Sequence, residues 1–236
     1  MPDPAKVRSM FGRIAPTYDL LNRGLTLGLD RRWRRRLAER ARTATGGGGR
    51  ALDVCCGTGD VAFELEHNGI STVGVDFTPE LLARARLKGK RRGRALRLTQ
   101  ADALVLPASD AAVEAVTIAF GLRNLADRIG GMHEMQRVLR PGGTLLILEL
   151  STPRGPLGWV YGLYFRRILP LLGRLISRDP SAYLYLRDTV LAWPRPEALL
   201  DELRAAGYEQ AGFDRLAFGI VALHWARKPA NPEPPR

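Results

Sequence analysis

LDVCCGTGD, running from Leu52 to Asp60, decides the fold: an apolar run, then cysteines and glycines around Thr58, then the start of a helix-like stretch. Gly57 and Gly59 let the backbone turn tightly and approach a ligand, and the amides of a helix N-terminus lie beside them. A nicotinamide-type fingerprint needs G-x-G-x-x-G, and counting from Cys55 gives Cys55, Gly57 and Asp60 instead. That template fails, and a strand–turn–helix shaped for some other ligand, or for none, remains.

Outward from this stretch the chain alternates strand-like and helix-like runs: ALDVCC, STVGVD, ALRLTQAD, VEAVTIAF and TLLILEL are separated by segments long enough for helices. Runs that are apolar throughout suit a parallel sheet covered on both faces. The helix between Asp127 and Leu139 is expected to end at Arg140, where Pro141, Gly142 and Gly143 turn the chain into the next strand. YEQAGFDRL and GIVALHWAR read as an antiparallel pair joined at Gly219 that closes the sheet's edge.

Acidic residues stand where strands end. Asp76 closes TVGVD, where a carboxylate can accept both hydroxyls of a ribose, and Asp102 with Ala103 follows the next strand, placed to hold an adenine edge. Any one of them could be a cap or turn residue. Together with Asp53 they make three on successive strand ends of one sheet edge.

The rest of the chain bounds the problem. At 236 residues and 45% hydrophobic composition it can bury one large core. Adjacent Cys55 and Cys56 make poor partners for a structural bridge, so the reading is a reduced, cytoplasmic protein, and MPDPAKVRSMFGR shows no secretory h-region. Residues 1–46 read as an N-terminal helical flap, residues 47–227 as the main domain with a helical insertion at about 155–192, and residues 228–236, with four prolines, as a disordered tail. The apolar Gly155 to Ile176 stretch is broken by Arg166, Arg167, Pro170 and Arg174. That argues against a transmembrane span and for core packing, a lid over an apolar substrate, or a surface resting on a bilayer.

The net charge of +12 is concentrated: residues 1–50 hold twelve Lys/Arg against four Asp/Glu, and residues 80–100 hold eight against one. RRWRRR (Arg31 to Arg36) and KGKRRGR (Lys88 to Arg94) could face nucleic acid or an anionic leaflet, or simply decorate exposed helices. Charge alone does not choose.

The stretch Asp53, Cys55, Gly57, Gly59 resembles the first motif of class I S-adenosylmethionine methyltransferases, with Cys55 where the first glycine is usual. The resemblance narrows further. FGRIAPTYDLLNRGLTLGLDRRWRR, CCGTGD, FGLRN (Phe120 to Asn124), MHEMQRVLRPGG (Met132 to Gly143) and GIVALH ending in His224 are together similar to the menaquinone and ubiquinone biosynthesis C-methyltransferase family. The match runs from about Val7 to Ala226, and the paired cysteines before GTGD look closer to menaquinone-type members. It implies an α/β, Rossmann-like class I methyltransferase fold. Such a fold has a mostly parallel seven-stranded sheet, an antiparallel C-terminal strand and helices on both faces.

By the same resemblance the cofactor is S-adenosyl-L-methionine, held by Thr58, Asp76, Asp102 and Ala103, with Asp53, Gly57 and Gly59 shaping the loop; Ala119 stands where the family often has Ser. The implied reaction is C-methylation of an isoprenoid quinol, demethylmenaquinol first and a ubiquinone-pathway benzoquinol second, with no metal. Such a reaction needs a quinol proton removed and the ring carbon aligned with the methyl group. Arg123 is the first candidate to stabilise the phenolate or order a water base. Tyr18, Asp19 and Asn22 on the flap and His224 near the end follow it. A structural ion pair for Arg123, and packing roles for Tyr18 and His224, stay open.

Two rivals have motivations of their own. An RNA methyltransferase would use the basic clusters, yet FGLRN occupies the place of an N-P-P-Y or D-P-P-Y signature, so no nucleic acid is expected. A membrane-bound scaffold would use the 155–176 stretch, yet Gly57, Gly59 and Asp76 argue for a working pocket. Peripheral contact with an anionic membrane and a homodimer remain compatible with the sequence.

Overall fold

The computed structural model describes residues 3–153, 155–168 and 180–230. Three helices come first: α1 (Pro4–Ile14), α2 (Tyr18–Thr26) and α3 (Asp30–Ala44). The alternation read from the sequence follows: β1 (Arg50–Val54), α4 (Asp60–His67), β2 (Ser71–Asp76), α5 (Pro79–Arg91), β3 (Arg97–Gln100), β4 (Val113–Ala119), α6 (Arg128–Val138) and β5 (Leu139–Leu150). Then come α7 (Gly155–Leu163) running into a π-helical turn (Tyr164–Ile168), α8 (Pro180–Leu191), α9 (Pro196–Ala205), β6 (Glu209–Leu216) and β7 (Val221–Arg227).

The sheet has seven strands in the order β3-β2-β1-β4-β5-β7-β6. Strands β1 to β5 pair in parallel, and β7 runs antiparallel to both β5 and β6. The antiparallel C-terminal pair is as the sequence reads it, with a turn through Phe218 (φ 58°) and Gly219 (φ 90°). The later strand, β7, is the one that inserts next to β5.

Alternation along the strands builds two cores. Leu145 and Ile147 of β5 join Met132, Met135, Val138, Leu199 and Leu203 on one face, while Leu146 and Leu148 join Leu37, Ala38, Ala41, Val61 and Leu65 on the other. Both faces are therefore covered, and β4 is buried from Val113 to Ile118, Glu114 and Thr117 included.

Three expectations shift. α3 is a core helix, with Leu37, Ala38 and Ala41 fully buried under the sheet, so of the segment read as a flap α1, α2 and the first turns of α3 cover the ligand side. Pro141 to Gly143 do not separate helix from strand: Leu139 already pairs with Val113, the chain bulges, and pairing resumes at Thr144 opposite Ala115. Lys228, read as tail, is tied down, its Nζ donating to the Leu139 carbonyl at 2.7 Å. Residues 231–236 of that tail, and residues 169–179 of the apolar insertion, lie outside the described residues. No helix among the described residues is long and apolar enough to cross a membrane.

Candidate active site

Strands β1, β2 and β4 end flush, Val54 lying opposite both Val75 and Ile118. The loops that follow them meet where the strand order reverses between β1 and β4, the crevice in which open α/β sheets bind ligands. The loop after β1 holds Cys55, Gly57 and Gly59 at φ of 54°, 55° and 80°, so the alternation of small residues is an alternation of left-handed backbone. Cys55 adopts it at a cost of about 1–3 kcal/mol, as a non-glycine residue must. Room for its side chain comes from Gly121 of FGLRN, where an added Cβ would lie 2.6 Å from the Cys55 Cβ.

Asp76 is buried, and each of its oxygens is oriented by a backbone amide: Gly57 N–H donates to Oδ2 and Thr78 N–H to Oδ1, both at 2.8 Å. Burial raises its pKa, against the pull of those bonds. Asp102 accepts from Leu104 N–H at 2.9 Å, and with Ala103, Ala119, Gly57 and Asp76 it lines one polar-floored pocket at the strand ends. Asp53 lies beneath, accepting from Thr117 Oγ1 at 2.7 Å, with burial pushing its pKa up to about 7. It supports the loop from below and lies outside that pocket's lining.

Thr58 is placed differently from the other cofactor candidates. Its hydroxyl donates to Asp19 Oδ1 at 2.6 Å and accepts from Lys88 Nζ at 2.9 Å, so side-chain partners other than a ligand occupy it. Lys88 also pairs with Asp19 and Asp60, each at 2.7 Å, and Arg34 joins Asp60 (2.9 Å) to Asp30 (2.7 Å). These charges pin α2 and α3 across the loop. Burial would raise the Asp60 pKa, but Arg34 and Lys88 outweigh it and hold the carboxyl low. Part of each basic cluster is thus spent internally rather than offered to a polyanion.

Next to this pocket lies an apolar cavity of about 450 Å³, walled by α1, α2, the start of α3, α7 and α8. Phe11, Tyr18 and Phe120 line both spaces, so the two meet at these rings. Tyr18 is held by Asn22, and its phenol is shifted up by burial. Arg123 reaches the apolar cavity from the turn after β4, its Nη1 donating to the Phe120 carbonyl at 2.7 Å and to Glu149 Oε1 at 2.5 Å, while its buried Nε finds no acceptor among the described residues. Glu149 is fully buried; burial raises its pKa and the Arg123 charge opposes that. Asn124 accepts from the Tyr185 hydroxyl at 3.0 Å, tying α8 to the strand-end loop.

The profile of the ubiE/COQ5 methyltransferase family matches residues 2–228. The chain belongs to that family. A demethylmenaquinone methyltransferase of Thermus thermophilus is 48% identical over 93% of this chain and 100% of that relative. A ubiquinone/menaquinone biosynthesis C-methyltransferase UbiE of a Geobacter species is 43% identical over 94% of this chain and 96% of its own length. Among solved structures, a SAM-dependent methyltransferase of Thermotoga maritima, a possible histamine N-methyltransferase, superposes with a TM-score of 0.64 at 17% identity over 93% of this chain and 99% of that one, a likeness of fold.

In this member of the ubiE/COQ5 family the site therefore gathers Asp76, Asp102, Ala103, Ala119, Gly57, Gly59 and Tyr18 around one pocket's walls and loop, and Arg123 around the next. His224 lies elsewhere. It is 1% exposed on β7, its Nε2 donates to the Pro196 carbonyl at 3.1 Å, its ring centroid lies 5.2 Å from that of Phe213 in a tilted pair, and neither cavity touches it. It is a packing residue under α9, and burial lowers its pKa to about 4.

Folded His224 stays neutral while the unfolded residue titrates near 6.5. Its contribution is therefore complete above about pH 6.5 and lost as pH falls toward 4, by about 3 kcal/mol at most. Chemical denaturation of His224→Leu at pH 7 and pH 5 should show that acid-side loss removed, with methyl transfer within about twofold of the unaltered protein. A large loss of turnover at full stability would return His224 to the catalytic set.

The sequence reading missed Asp30, Glu149, Lys88 and Tyr185. An i,i+4 Asp30–Arg34 pair inside LDRRWRR was a visible signal for the first. The other three make contacts across long sequence separations that no local pattern announces.

Proposed function

We propose that this protein is an S-adenosylmethionine-dependent C-methyltransferase that converts demethylmenaquinol to menaquinol. One observation carries the reading: a strand-end pocket floored by an amide-oriented carboxylate meets, at Tyr18 and Phe120, an apolar cavity that holds a buried guanidinium. The names carried by relatives at 41–48% identity agree with it.

The residues suit the cofactor. Asp76 keeps lone pairs on both oxygens for a vicinal ribose diol, Asp102 and Ala103 border the space for an adenine edge, and the left-handed loop at Gly57 brings backbone close. Bound there, S-adenosylmethionine supplies an electrophilic methyl group on a sulfonium. The protein's task is to orient the quinol ring against it, keep water out, and favour the phenolate form of the ring hydroxyl next to the reacting carbon. Arg123 places its charge in a low-dielectric cavity where a phenolate oxygen gains most from it. Tyr18 and Phe120 set the ring at the junction, so proximity contributes much of the rate.

Transfer of label from S-adenosylmethionine to short-chain demethylmenaquinol under reducing conditions tests this, with the matching benzoquinol and bulk RNA run in parallel. Label in the naphthoquinol is expected; label in benzoquinol alone, or in RNA alone, would overturn the substrate.

The same reading includes contact with an anionic bilayer, where such a substrate resides. Trp159 (73% exposed), Val160, Leu163, Leu184, Leu27 and Phe218 (90% exposed) stand out on or beside the elements that wall the apolar cavity, with Arg166 and Arg167 near them. Co-sedimentation with phosphatidylglycerol vesicles, weakened in Trp159→Ser and by salt, is the expected result. Equal indifference to anionic and neutral vesicles would remove this partner.

A further inference from the structure

We propose that Asp30 is the residue by which this site tells a quinol from its quinone: its carboxylate accepts the hydroxyl that Arg123 does not hold. The inference rests on the quinol reading above and adds a specificity-determining residue to it.

To enter the cavity the ligand must leave its hydrogen bonds to water behind. A hydroquinone ring carries two O–H groups, and a dry cavity has to provide a partner for each or lose the corresponding hydrogen bond outright. The charged side chains on the wall of the apolar cavity, among the described residues, are Asp30, Arg34 and Arg123. Arg123 is a donor, suited to a phenolate or carbonyl oxygen. Asp30 is the one carboxylate, and therefore the one ionic acceptor, on that wall.

Among the described residues its carboxylate is short of donors. Asp30 opens α3 and is 2% exposed. Oδ2 is paired with Arg34 Nη1 at 2.7 Å, and Arg34 is shared with Asp60 at 2.9 Å. Oδ1 lies 3.1 Å from Thr26 Oγ1, but that hydroxyl is 2.7 Å from the Asn22 carbonyl, and its single proton cannot serve both. With the proton on the shorter contact, Oδ1 keeps acceptor capacity on an apolar wall, an arrangement that is costly until a donor arrives. The hydroxyl of an aromatic diol is such a donor.

The oxidised ring is not. A quinone presents carbonyl oxygens, acceptors only, and one of them would face a carboxylate with no proton between them. A site built around a buried polar partner rejects the analogue lacking the matching group far more strongly than an apolar wall rejects a misfit. Binding thus selects the redox form that can react.

Asp30→Asn is the decisive variant, because its amide keeps an oxygen for Arg34 while its NH₂, in the place of Oδ1, can donate to a carbonyl. Affinities of a short-chain naphthoquinol and of its quinone are measured anaerobically in the presence of S-adenosylhomocysteine, whose own affinity reports an intact fold. The unaltered protein is expected to prefer the quinol by about 10- to 100-fold. In Asp30→Asn that ratio should collapse toward one or invert through a gain in quinone affinity, with S-adenosylhomocysteine binding unchanged. A residue that merely anchors Arg34 would weaken both forms together.

An unchanged ratio in the folded variant, or equal affinity for both redox forms in the unaltered protein, would overturn the assignment. Should the variant not fold, two analogues each lacking one hydroxyl answer on the unaltered protein: both are expected to bind more weakly than the diol, and either one binding as tightly overturns it. Failure of the quinol reading itself appears separately, as absence of methyl transfer.

Discussion

Arg123→Ala should lose about 100- to 1,000-fold in methyl transfer to the quinol while S-adenosylmethionine binding stays within a few-fold of the unaltered protein. The magnitude is that of removing one pre-oriented donor from a developing oxyanion. Arg123 is already held by two acceptors, the Phe120 carbonyl and Glu149, so its cost of organisation is met by the fold. The same bonds mean that the substitution also exposes a second effect. Glu149 is fully buried, with its pKa raised by burial and restrained by the Arg123 charge.

Without that charge the carboxyl's folded pKa rises further above its unfolded value. Protonated in the fold, it costs little at low pH. As pH climbs past about 4.3 the unfolded state releases its proton first, and stability falls. Breaking a buried pair in this way costs about 3–5 kcal/mol where the charge is forced to remain. Arg123→Ala should therefore be less stable at pH 8 than at pH 5 relative to the unaltered protein, and Arg123→Ala with Glu149→Gln should regain stability without regaining turnover. Single-turnover rates, cofactor calorimetry and denaturation at the two pH values separate the effects. Turnover within tenfold of the unaltered protein would leave Arg123 as a structural ion pair.

The second large effect is expected at Asp76. Its two oxygens each accept a backbone amide at 2.8 Å, one from the loop after β1 and one from the loop after β2, so one carboxylate both closes the pocket floor and presents the acceptors for a ribose diol. Hydrogen bonds to a charged group contribute about 1.5–3 kcal/mol each. Losing two weakens S-adenosylmethionine by about 100-fold or more at 1.4 kcal/mol per tenfold. Asp76→Ala should show that loss in calorimetry with S-adenosylhomocysteine. Asp76→Asn, which keeps one acceptor, should fall between, and the quinol's affinity should change far less in both. Cofactor affinity unchanged in Asp76→Ala would move the nucleoside away from the β2 edge.

Much of this site could be read without coordinates, and the reason is local. Asp76 and Asp102 are legible because a strand-terminal carboxylate follows directly from where an apolar run stops, and the strands stop together because parallel strands of one sheet share an edge. The left-handed positions at 55, 57 and 59 were legible as small residues. Arg123 was legible through FGLRN, although its pairing with Glu149 was not: the two lie 26 residues apart and meet only because β4 and β5 are neighbours.

His224 illustrates the limit. Alternation along β7 says that His224 and Trp225 point to opposite faces, but not which face carries the ligand side; the sheet order and the helix laid against it decide that, and they set His224 beneath Pro196. Thr58, Lys88 and Arg34 illustrate it again, since charge runs in α3 and α5 look alike as exposed faces until α2 is laid across them.

The sequence by itself determined the alternation of strands and helices, a parallel sheet, an antiparallel pair at its C-terminal end, and the strand-end acidic residues, because hydrophobic period and turn chemistry act over a few neighbouring positions. The tertiary structure alone decided which charges are consumed in pairs, that α3 belongs to the core, and that Asp30 faces an apolar cavity walled by tyrosines from α7 and α8. Those outcomes depend on surfaces brought together from distant parts of the chain, and packing geometry rather than local propensity sets which surfaces meet.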